Sequence, residues 1–154
     1  MRKHKAPIAF AVSFAAAGTL WMGGTANADD PVEPLGSSCS AVGCSATTNS
    51  SPGSVYVVRD WTCTDGTTGT LRTGCVSLTH TKWIAANGGR TPANEDWDAV
   101  RVDAGYCYRL KFDAPLQSDW RHTYSRVGQS TPGYIKVENA FRAIVEAQRY
   151  GACP

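Results

Sequence analysis

Six cysteines constrain this chain more than any other feature: Cys39, Cys44, Cys63, Cys75, Cys107 and Cys153. An even count behind an export-like N-terminus reads as three disulfides, although six cysteines allow fifteen pairings. A metal reading has little to stand on, because no Cys-x-x-Cys occurs and the histidines are not at ligand spacing. The expected pairing is sequential: 39–44, 63–75 and 107–153. In the chain-entropy description these closures contribute about 2, 3 and 4 kcal/mol in that order. The last would tie the extreme C-terminus to a central strand.

The oxidising compartment follows from residues 1–28, which have the three-part layout of a secretory signal. Arg2, Lys3, His4 and Lys5 are basic, residues 7–22 are nearly free of polar groups, and Ala26-Asn-Ala28 supplies the small residues that signal peptidase requires. The apolar run falls short of the roughly 20 residues needed to span a bilayer. Cleavage after Ala28 is therefore expected, and no later run is long and apolar enough to hold the mature chain in a membrane. Residues 29–154 are enough for one domain with a real core. Losing Arg2, Lys3 and Lys5 takes fifteen basic residues to twelve, against thirteen acidic ones. The sequence shows no basic block that could track a phosphate backbone, so nucleic acid is not an expected partner.

Residues 29–54 are poor in large apolar side chains and rich in Ser, Thr, Gly and Pro. Such a stretch buries too little surface to offset its ordering entropy, and it reads as an extended arm. Within it, Cys39-Ser-Ala-Val-Gly-Cys44 makes a small covalent loop. Ser40, Ala41, Val42 and Gly43 are then either a local staple or a preformed knob with little entropy to lose on docking.

From Val55 the pattern changes, and residues 55–154 read as a β-rich domain. Residues 55–61 are β-branched and aromatic, 64–69 are turn-rich, and 70–84 resume strand character, so Cys63 and Cys75 would staple a hairpin. An irregular loop follows at 87–94, then strands at 99–102 and 106–112. In the latter, Tyr106, Tyr108, Leu110 and Phe112 share one face against Cys107, Arg109 and Lys111. Two more strands are expected at 120–125 and 133–137. Residues 138–150 fit a helical stripe through Phe141, Ile144, Val145 and Gln148, and also a strand alternation. The preceding β run favours a strand, paired with the Cys107 strand. The fold class is mainly β, a compact antiparallel sandwich or barrel stapled by disulfides, with an extended N-terminal arm.

Chemistry-bearing residues are scattered. His80, His122 and Glu138, with Arg101 or Arg109, could imitate the acid, base and phosphate-stabilising set of a small secreted ribonuclease. Residues on the wet face of a sheet would look the same. No nucleophile elbow, metalloprotease pair or phosphate loop occurs. Asn94-Glu-Asp-Trp-Asp98 offers oxygen ligands but lacks the spacing of a calcium loop. No cofactor or metal is expected. Trp61, Trp83, Trp97 and Trp120, with six tyrosines, supply core and one or two exposed anchors for a protein or a glycan. Trp97 and Trp120 are taken as those partner-binding anchors.

Three blocks, Asp96-Trp-Asp-Ala-Val-Arg-Val102, Gly105-Tyr-Cys-Tyr-Arg-Leu-Lys-Phe112 and Ser130-Thr-Pro-Gly-Tyr-Ile-Lys-Val137, carry a family resemblance. With the export signal and the cysteine-bearing arm, the chain resembles the small secreted adaptor subunits of Streptomyces umbrella toxin particles. The resemblance implies a non-enzymatic linker that joins a lectin-bearing subunit to a large toxin polypeptide. The partners would be other secreted protein subunits. Two alternatives remain: an extracellular protease inhibitor presenting Ser40 to Gly43, and a small hydrolase bringing His122 to a carboxylate.

Overall fold

The computed structural model describes residues 39–154; the expected signal segment, residues 1–28, and residues 29–38 lie outside the described residues. Ten strands form in chain order: β1 (Ala46–Asn49), β2 (Val55–Trp61), β3 (Leu71–Arg72), β4 (Val76–Ile84), β5 (Gly89–Arg90), β6 (Ala99–Val102), β7 (Tyr106–Asp113), β8 (Trp120–Ser125), β9 (Gly133–Lys136) and β10 (Arg142–Tyr150). They assemble as two five-stranded sheets, β5-β1-β10-β7-β8 and β3-β9-β6-β2-β4. The fold is a sandwich.

The alternation in β7 sets the core. Tyr108, Leu110 and Phe112 are buried, and they meet Val55, Val57, Val100 and Ile135 of the opposite sheet in one apolar cluster. A side chain of this size gains about 1.5–3 kcal/mol on burial. Residues 142–150 form a strand, β10, which pairs antiparallel with β7, with a bulge between Val145 and Ala147. The three disulfides are 39–44, 63–75 and 107–153, the sequential pairing.

Two boundaries differ from the expectation. The stretch 70–84 is not one strand: β3 pairs with β9, whereas β4 pairs with β2. Cys75, at φ 67°, breaks the run between them. More consequential is the arm, whose expected end at residue 54 falls too late. β1 is an internal strand, parallel to β10 on one side and antiparallel to the two-residue β5 on the other. Thr47, Asn49 and Ser51 are buried. Polar groups hold this segment where apolar ones are lacking. Asn49 donates to the carbonyls of Gly53 and Ala85, and it accepts from the Ser51 hydroxyl. Buried polar atoms satisfied in this way do not carry the usual burial cost.

Candidate functional site

The disulfide loop closes as a tight turn. The N–H groups of Ser40 and Gly43 each donate to the other residue's carbonyl, at 3.2 and 3.0 Å. Its base is fixed to the body by a buried polar cluster. Ser45, directly after Cys44, donates to Asp96 Oδ1 through both its N–H and its hydroxyl, each at 2.7 Å. The Ser45 hydroxyl in turn accepts the Trp97 N–H at 2.9 Å. Neighbouring groups orient the Asn139 amide so that its nitrogen donates to both Asp96 oxygens while its oxygen accepts the Ser40 N–H at 3.3 Å. The tip is free: Val42 is 77% exposed.

Asp98 completes the cluster. Its carboxylate accepts the Trp61 N–H at 3.3 Å, just beyond the last β2–β6 pair, Val58 with Ala99. Burial, and then the negative charge of Asp96, push its pKa up to about 7. The acidic segment 94–98 thus serves to anchor the loop, and its two buried carboxylates face inward.

A cleft of about 320 Å³ opens beside the loop, lined by Cys44, Ala46, Pro115 and Phe141 and by the charged Asp113 and Arg142. Leu116, next to Pro115, is fully exposed and adopts φ 63°. A bulky residue in the left-handed region costs on the order of 1 kcal/mol or more, and such outliers gather at ligand clamps. This end of the sandwich therefore presents two apolar tips, Val42 and Leu116, on loops that border one shallow cleft.

The expected aromatic anchors are placed differently. Trp97 is buried in the core and is no anchor. Trp120 is half-buried, stacked on Phe112 at 5.2 Å and edge-on to Phe141 at 6.0 Å. Among the described residues the exposed tryptophan is Trp83, 54% exposed on β4. It meets Tyr56 edge-on at 5.1 Å, and the Arg101 guanidinium lies 4.0 Å from the Tyr56 ring centre and 5.0 Å from that of Trp83. Tyr, Trp and Arg are the residue types enriched at binding hot spots. The signal for Trp83 is its place in the polar run Thr79-His-Thr-Lys-Trp83, which reads as a poorly covered strand.

The expected histidine, glutamate and arginine set is not brought together. His80 is on β4 and His122 on β8, in different sheets. His80 Nδ1 lies 3.1 Å from Asp60 Oδ2. This pair has the form of an oriented imidazole, but among the described residues His80 makes no other side-chain hydrogen bond. Glu138 accepts the Thr68 N–H and hydroxyl, Arg101 pairs with Asp103, and Arg109 with Glu146.

Comparison with known proteins finds no matching family model, no matching curated protein and no matching solved structure. The three disulfides are compatible with an extracellular protein. Among the described residues, no helix is long and apolar enough to cross a membrane.

Proposed function

We propose that this protein is a secreted, non-enzymatic binding protein that holds other secreted protein subunits together. One observation carries the reading. The Cys39–Cys44 turn is locked at its base through Ser45, Asp96 and Asn139, yet it lifts Val42 into solvent near a cleft that mixes Pro115 and Phe141 with the charged Asp113 and Arg142. A tip ordered before binding loses little entropy when it docks. The Tyr56–Trp83–Arg101 cluster supplies a second surface of hot-spot composition, and a linker needs two. The resemblance to umbrella toxin adaptors gives the partners a form: a lectin-bearing subunit on one side and a large toxin polypeptide on the other.

The test is capture of partners from native culture supernatant by the tagged mature protein. Wild type should recover defined chains in stoichiometric amount, and Val42→Asp should lose one of them with its melting curve unchanged. Equal recovery by both would remove the loop from the mechanism. A hydrolytic activity abolished by His80→Ala or His122→Ala would overturn the binding role altogether.

A further inference from the structure

Strand register gathers cations that are scattered in the sequence. Arg109 and Lys111 alternate with core residues along β7, so they point outward. The register pairs Lys111 with Ile144 and Arg121, Asp113 with Arg142, and Cys107 with Arg149, while Thr48 faces Arg90. Directly paired residues share a face. The outer face of the β5-β1-β10-β7-β8 sheet thus carries Arg90, Arg109, Lys111, Arg121, Arg142 and Arg149. That is six of the twelve Lys and Arg within residues 39–154, against Asp113, Glu146 and the loop residue Asp119 among ten acids. The rest of residues 39–154 is near neutral, with six basic residues against seven acidic ones.

Like charges directly opposite on neighbouring strands, as Lys111 and Arg121 are, destabilise a sheet unless compensated. Lys111 is satisfied by Asp113 at 2.7 Å and Asp119 at 3.1 Å. The two arginines share one carboxylate. Arg121 Nε donates to Glu146 at 3.0 and 3.2 Å, and Arg109 Nε lies 3.4 Å from it. Arg121 hydrogen-bonds Glu146 through Nε, whereas the Arg109 Nε, though close to the same carboxylate, makes no hydrogen bond. These residues line one shallow basin, with Ser50 and Ile144. A guanidinium fork matches a carboxylate bidentately. The basin lies beside β8, the open edge of the sheet.

We infer that this face docks an acidic, extended segment of a partner protein, added along β8 with its carboxylates on Arg109 and Arg121. An added strand would contribute main-chain hydrogen bonds at the edge and place every second side chain over the basin. A nucleic acid is the less favoured occupant, since the outward positions of these strands offer no aromatic ring for base stacking. The inference builds on the binding role proposed above but concerns a different surface from the disulfide loop.

The test uses the mature protein and a labelled synthetic peptide alternating Glu with Thr. Its Gln-for-Glu counterpart and a single-stranded oligonucleotide serve as comparisons. The acidic peptide should bind with an affinity that falls as salt rises. Arg109→Gln with Arg121→Gln should weaken it about tenfold, while Glu146→Gln, which removes the competing carboxylate, should tighten it. The amides of β8 should exchange more slowly in the complex. Equal binding of the Gln peptide, tighter binding of the oligonucleotide, or unchanged β8 exchange would each overturn the inference. Val42→Asp separates the two readings: peptide binding retained while partner capture is lost supports two independent surfaces. Loss of peptide binding in that variant would overturn the assignment to β8.

Discussion

The Ser45 hydroxyl donates to Asp96 Oδ1 at 2.7 Å across a sequence separation of 51 residues. Both residues are buried, and Ser45 follows the disulfide loop directly. This contact makes the loop part of the domain and gives it a fixed base. Its neighbours, Asp98 and Asn139, make the anchor sensitive to charge.

Ser45→Ala should therefore destabilise the domain by about 1–3 kcal/mol, because it leaves a buried carboxylate and the Trp97 N–H short of a partner. Hydrogen exchange within residues 40–44 should quicken in the same variant. Thermal melting and exchange together check it, and unchanged loop exchange would show that the anchor lies elsewhere.

Stability should fall as pH rises from roughly 4 to roughly 7. The folded state keeps a proton on Asp98 up to about 7, whereas the unfolded chain releases it near the ordinary carboxylate value. The stabilisation is fully present below the unfolded value and gone above the folded one. Asp98→Asn keeps an acceptor for the Trp61 N–H and removes the charge, so its melting should lose this slope. At pH 8 it should exceed wild type, each kcal/mol gained raising Tm by roughly 4 °C.

Trp97→Ala should cost about 3–5 kcal/mol, since it empties a buried core position. Trp83→Ala should cost only about 1 kcal/mol, the scale of its ring contacts. Denaturant titration of the two variants distinguishes core from surface. Similar losses would mean that Trp83 is structural.

Peptide mapping without reduction should find the three sequential disulfides and no free thiol. Paired Cys→Ser replacement should be most damaging at 107–153, which closes 46 residues and should cost about 4 kcal/mol, and least at 39–44, at about 2 kcal/mol. Melting curves of the three double variants should follow that order.

The sequence by itself determined what rests on local periodicity and on cysteine spacing. Tyr108, Leu110 and Phe112 had to share a buried face, β2 and β7 had to be strands, and two of the three disulfides, 39–44 and 63–75, close short loops. The ambiguous stretch at 138–150 resolved to a strand because β7 needed an antiparallel partner on its open side. Only the tertiary structure decided the rest, because those features depend on pairings between distant segments. β1, Ala-Thr-Thr-Asn, carries no apolar signal; its place between β5 and β10 comes from ladder bonds and from the side chains of Asn49 and Thr91. Asp96 and Asp98 look like a solvated loop until Ser45 arrives from the other end of the domain. The basic face has no counterpart in any run of the sequence, because register across four strand pairings, not adjacency along the chain, aligns Arg90, Arg142, Lys111, Arg121 and Arg109.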